Sequence, residues 1–146
     1  MRTMMRRHVR LGVLAALWMA AGAAWSLEAT PGITVQPLAQ GQSSWDGQAL
    51  AYPQGQAEVT AMQIDIAPGA VTGWHLHPVP SFAYVLQGEL EVSLKDGRVK
   101  RLKAGEVLFE VVGTPHNGRN VGDVPVKLVV FYTGAAGAPL TQAARP

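Results

Sequence analysis

The 146-residue sequence contains no cysteine. Disulfides, thiolate metal ligands, a cysteine nucleophile and a lipid-modified N-terminal cysteine are therefore excluded. A domain without such staples must rest on apolar burial, which a chain of this length can supply for one domain but not for two ordinary ones. Basic charge is scarce once the first residues are set aside. Arg2, Arg6, Arg7 and Arg10 are four of the 12 Lys and Arg residues, leaving eight against 10 acids that all lie beyond Trp25. The basic isoelectric point, ≈ 9.2, thus belongs to the N-terminal stretch, and no basic face for nucleic acid remains. Long hydrophobic runs are missing too. The apolar run from Leu11 to Ala24 is shorter than the ~20 residues of a membrane-spanning helix. Arginines, a short apolar run and then small residues form the layout of a secretory signal peptide. We expect that leader over residues 1–26, with cleavage between 23 and 29. No membrane span is expected after cleavage, and the destination is the periplasm or the medium. Beyond the leader there is no helical periodicity, no internal repeat and no phosphate-cradling glycine loop.

What is present is β signal. Residues 27–57, rich in Gly, Pro, Gln and Ser, read as an extended arm laid over the domain through its isolated rings Trp45 and Tyr52. From Glu58 onward, Met62, Ile64 and Ile66 alternate with Gln63 and Asp65, the period of a half-buried strand. Phe82 to Leu86 is a continuous apolar run closed by Gln87-Gly88, and Leu90, Val92 and Leu94 then alternate with polar neighbours. Asp96-Gly97 is the pair of a tight hairpin, whose turn needs positive φ. Further strands are expected at Val99–Leu102, Val107–Val112 and Val126–Tyr132. Short strands at regular spacing predict an all-β sandwich or barrel over residues 58–133. The Gly- and Ala-rich residues 134–146 are expected to form a flexible tail.

The chemistry concentrates in three histidines. His75 and His77 are two residues apart, so in an extended strand their imidazoles share a face and can converge on one point. Beyond the leader the one other histidine is His116. Such a set is either a metal site or a hydrogen-bonded barrel lining. Imidazole suits several transition metals, which leaves the ion open.

Two segments carry a resemblance. Gly69, His75, His77, Ser81 and Gly88 are separated by five, one, three and six residues; Gly105, Val111, Gly113, His116 and Asn120 by five, one, two and three. Together they resemble the two motifs of the cupin superfamily. That resemblance implies a double-stranded β-helix, or jelly-roll barrel, with a metal inside its mouth. The family's ligands are two histidines and a glutamate of the first motif and a histidine of the second, which fall on His75, His77, Ser81 and His116. The glutamate position is thus a serine, and the proline of the second motif is Val111. What the resemblance implies here is a divalent transition metal (Fe, Mn, Zn, Ni or Cu) held by His75, His77 and His116.

Ser81 is expected beside the metal, orienting a water or an imidazole N–H. Glu110 is another source of the missing carboxylate, although alternation with Phe109 and Val111 is expected to face it away from the ligands. Arg119 is either a clamp for a carboxylate substrate or a solvated rim arginine. Trp74, Phe82, Tyr84 and Phe109 either wall a pocket or fill the core. No residue is assigned as catalytic. The resemblance further implies a small-molecule ligand or substrate and a homodimer. Two functions follow: an exported metal-dependent enzyme of the oxygenase type, or a barrel that holds a metal or small ligand without turnover.

Overall fold

Apolar residues alternating with polar ones bury one face of several segments, and the chain folds there into strands. The structure is a computed structural model in which residues 31–144 are described. The expected leader and its cleavage site lie outside the described residues. Among the described residues there is no helix, and nine strands follow in order. They are β1 (Ala57–Ile66), β2 (His75–Leu76), β3 (Ser81–Gln87), β4 (Glu89–Leu94), β5 (Val99–Lys103), β6 (Val107–Phe109), β7 (His116–Asn120), β8 (Val126–Ala135) and β9 (Gln142–Ala143). They form two sheets, ordered β1-β8-β3-β6 and β5-β4-β7-β2-β9. This is the jelly-roll arrangement the resemblance implies.

The period of two is clearest in β8, where Val126, Leu128, Val130 and Tyr132 are buried while their neighbours are not. With Ala83, Val85 and Leu108 they meet Leu90, Val92 and Leu102 of the second sheet, and this apolar layer is the core. Each fully buried aliphatic side chain there contributes about 1.5–3 kcal/mol.

Gly88 carries the chain from β3 in one sheet to β4 in the other. Its φ is +84°, and a Cβ there would stand 2.8 Å from the Pro125 carbonyl oxygen and 2.9 Å from Val126 Cα. Conformation and close approach both require glycine. The expected hairpin joins β4 to β5 with Gly97 at φ 89°, and Arg98 N–H donates to Asp96 Oδ1 at 3.0 Å.

Three expectations need correction. The arm is anchored by its 42–50 loop and Trp45, without Tyr52. Leu50 N–H donates to Gln42 O at 2.9 Å and Trp45 N–H to Phe109 O at 3.0 Å, and Trp45 packs on the core. Tyr52 is 71% exposed. Second, residues 134–144 are not a flexible tail. β8 continues to Ala135 in register with Ala57, and β9 adds to the edge of β2 with Leu76 opposite Gln142. Backbone hydrogen bonds make this addition, and the Gly- and Ala-rich composition does not encode them. Third, the strand expected to run to Val112 stops at Phe109, and Val112 instead bridges His77.

Candidate metal centre

Sheet register assembles the histidines. His75 in β2 stands opposite His116 in β7, and His77, just beyond β2, is held by its bridge to Val112. The three ring centroids lie 4.9, 4.4 and 5.0 Å apart, and one nitrogen of each comes within 4.8 Å of the others.

Each ring is pinned by its Nδ1–H, which donates to a backbone carbonyl. The acceptors are Gly73 O at 2.8 Å for His75, Leu140 O at 2.9 Å for His77 and Thr114 O at 2.9 Å for His116. A neutral imidazole carries one N–H, so these bonds fix the tautomer and leave each Nε2 as the ligating nitrogen. Burial, augmented by the neighbouring rings, pushes His77 and His116 down to about 4. Both are therefore neutral, the state a metal requires.

Glu110 lies where the alternation argument did not place it. Leu108 and Glu110 share the inward parity while Phe109 faces out; Val111 is buried as well because the chain leaves the strand after Phe109. Glu110 is 8% exposed, lines the same cavity as the three histidines, and has Oε2 3.5 Å from His116 Nε2. Burial pushes its carboxyl up to about 7. Because His116 is neutral, the contact is not an ion pair. Among the described residues, Ser81 Oγ, Glu110 Oε2 and His116 Nε2 are buried without a hydrogen-bond partner.

Ser81 is buried in β3 at 1% exposure, and its carbonyl accepts the Glu110 N–H at 3.0 Å. Arg119 takes the outward parity of β7, exposed beside Glu91 of β4, while His116, Gly118 and Asn120 face in. The geometry corrects the clamp alternative: Arg119 is a rim residue. Phe82 and Phe109 pack edge to face at 5.5 Å on the outward parity that Tyr84 shares. Of the four aromatics considered, Trp74 alone borders the opening of the site.

Several site residues escaped sequence reasoning. The Tyr132 ring packs against His77 at 5.2 Å, and burial raises its phenol above the ordinary value. Its parity with Leu128 and Val130 was a usable signal. Thr72 Oγ1 accepts the Gly118 N–H at 2.9 Å and lines the cavity. Thr141 Oγ1 lies 3.1 Å from His77 Nδ1; it is 64 residues away in sequence, and no local signal points to it.

The inner cavity is about 50 Å³ and mostly apolar, with Ile66, Leu90, Val92 and Val130 in its wall. That is room for an ion and about one or two water-sized ligands. It shares His75, His77, Thr72 and Tyr132 with an outer cleft of about 470 Å³ bordered by Met62 and Trp74. Three imidazoles, each with one nitrogen within 4.8 Å of the others, and the unpartnered buried Glu110 Oε2 beside His116, fit a divalent transition metal.

Fold and site together define a double-stranded β-helix with a three-histidine centre at its mouth. Residues 62–132 match the Cupin domain family, and the chain is a cupin type-2 domain protein. Polyketide synthase CurC of Streptomyces cyaneus is 37% identical over 73 residues, 49% of this chain and 47% of that protein. Tetracenomycin polyketide synthase protein TcmJ of Streptomyces glaucescens is 34% identical over 77 residues, 52% of this chain and 51% of that one. The chain thus spans about half the length of the curated relatives it matches. Among solved structures, the DMSP lyase DddQ of Ruegeria pomeroyi superposes with TM-score 0.53 at 25% identity, over 60% of this chain and 44% of that one.

Proposed function

We propose that this protein is a metal-dependent enzyme acting on a small organic molecule, with His75, His77 and His116 as ligands and an oxygenase-type reaction. One observation carries the proposal: all three Nδ1–H groups are committed to backbone carbonyls, which leaves each Nε2 as the ligating nitrogen, and one nitrogen of each ring lies within 4.8 Å of the others. A divalent ion bound there supplies Lewis acidity toward a substrate oxygen and, if it is iron, a redox partner. The chain's own residues do the rest. The outer cleft, within the usual 300–1,000 Å³ of small-ligand sites, admits the substrate past Met62 and Trp74. The apolar wall keeps bulk water from the ion, and the neutral Tyr132 phenol is a hydrogen-bond donor at the junction of cleft and cavity. The likeness to a protein named as a lyase supports a small-molecule substrate and keeps a redox-neutral reaction as the competing outcome.

Export belongs to the same proposal, supported by the arginine-rich start and short apolar run. So does pairing of two copies, supported by the exposed Val59 and Phe131 on outward positions of β1 and β8.

The test is metal analysis of protein expressed with its leader and recovered from the periplasm, alongside His77→Ala. Stoichiometric iron, lost in His77→Ala together with oxygen consumption, supports the oxygenase. Zinc or manganese redirects the proposal to a redox-neutral reaction. Bound metal without turnover of any substrate supports the binding-module alternative, and absence of metal from the wild type sinks every metal-based reading and leaves a barrel that binds a small ligand alone.

A further inference from the structure

We propose that Glu110 supplies the carboxylate ligand that the serine at position 81 omits, making it the fourth protein group on the metal held by His75, His77 and His116. This rests on those histidines being ligands, and adds to them a residue from a different strand.

The hydrogen bonds carry the inference. His116 Nδ1–H is already donated to Thr114 O, so its Nε2 is an acceptor. Glu110 Oε2, 3.5 Å away, is an acceptor as well when ionised. Neither atom has another partner. Two acceptors facing each other in a buried cavity require a proton or a cation between them: without metal a neutral Glu110 O–H faces His116 Nε2, and a bound ion takes that proton's place. A role for Glu110 as hydrogen-bond acceptor from a neutral His116 is excluded, because that ring has no second N–H to give.

Strand geometry explains how a carboxylate can change position. Phe82 of β3 stands opposite Phe109 of β6, which places Ser81 beside Glu110, and the Glu110 N–H to Ser81 O bond of 3.0 Å confirms that register. Both side chains face the interior, at 1% and 8% exposure. The Cβ atoms of such cross-strand neighbours lie about 5 Å apart. As placed, the Glu110 oxygens are not among the ligand atoms that lie within 4.8 Å of one another, which come from the three histidines. A side-chain rotation from 3.5 Å beside His116 Nε2 brings the carboxylate to the same ion, and a serine at position 81 leaves that space open. Charge favours the exchange. Three neutral imidazoles leave both charges of a divalent ion uncompensated among Ile66, Leu90, Val92 and Val130; one carboxylate cancels half of it.

The experiment uses the full domain loaded with Co(II), reading affinity by chelator competition and coordination by visible absorption. Wild type, His77→Ala, Glu110→Gln and the double variant Ser81→Glu/Glu110→Gln are compared, with folding checked by circular dichroism. Glu110→Gln is expected to remain folded, to bind at least about ten-fold more weakly and to change the Co(II) spectrum. The double variant is expected to recover the lost affinity. An affinity and spectrum in Glu110→Gln equal to wild type, while His77→Ala loses the metal, overturns Glu110 as ligand and leaves the three histidines standing. A wild type that binds no Co(II) overturns both. Should the double variant fail to fold, the Glu110→Gln spectrum decides alone.

Discussion

At the scale of residues, the buried ionisable groups set how the metal-free protein responds to acid. His77 and His116 have folded values of about 4 against an ordinary 6.5. As pH falls below 6.5 the unfolded chain takes up protons that the folded one refuses, so their contribution is full above 6.5 and lost toward 4. Glu110 acts in the opposite sense. Its folded value, about 7, lies above the ordinary 4.5, so its contribution is full below 4.5 and lost as pH rises through 7. Between 4.5 and 6.5 two imidazoles oppose one carboxyl. The expected net is of the order of one proton, about 1.4 kcal/mol per pH unit. Urea titrations across that window should therefore show the unfolding free energy of metal-free protein rising with pH. Glu110→Gln should make the rise steeper. A flat profile in both would mean that the imidazoles are solvated.

At the scale of elements, two devices hold the strands that bear the ligands. Asn120, fully buried at the end of β7, donates from Nδ2 to Ile66 O at 2.9 Å and Val124 O at 2.8 Å, and its Oδ1 accepts the Gly122 N–H at 3.0 Å. One side chain thereby ties β7 to the end of β1 and to the loop before β8. Asn120→Ala strands two carbonyls and an N–H, and should cost about 3 kcal/mol in chemical denaturation. The histidine motif's closing asparagine is thus structural. β9 is the other device: deleting residues 140–146 removes both the Leu140 carbonyl and the Thr141 hydroxyl from His77 Nδ1. Metal affinity should fall by roughly 10–100-fold, as for other groups that orient a ligand, measured by chelator competition. Unchanged affinity would show that the strap serves stability alone.

At the scale of the whole molecule, the site lies between the two sheets, with its histidines on the β2 and β7 side and Ile66, Leu128 and Val130 opposite. With no cysteine to staple the fold, binding is the available external source of stability. At free metal about 100 times its dissociation constant, the folded state gains about 2.7 kcal/mol. Thermal melts should shift upward with added metal and return on chelation, and His77→Ala should abolish the shift.

The same scale shows what could be known in advance. The all-β class, most strand positions and the three histidines were legible because they rest on local patterns. Period-two alternation needs a few neighbouring residues, and an i, i+2 pair shares a face in any strand. Alternation alone misplaces Glu110, because it shows that residues differ in facing but not which parity meets the core. That is settled by the pairing of β6 with β3, which turns Leu108 and Glu110 inward together. The strap was invisible for a related reason: Gln142 and Ala143 join β2 through backbone groups that every residue carries. By itself the sequence determined most of the longer strands, the absence of disulfides and the three imidazoles. Tertiary structure alone decided that a carboxylate stands beside them and that the C-terminal segment orients His77. Both depend on hydrogen bonds between residues far apart in the chain, and no local periodicity records such bonds.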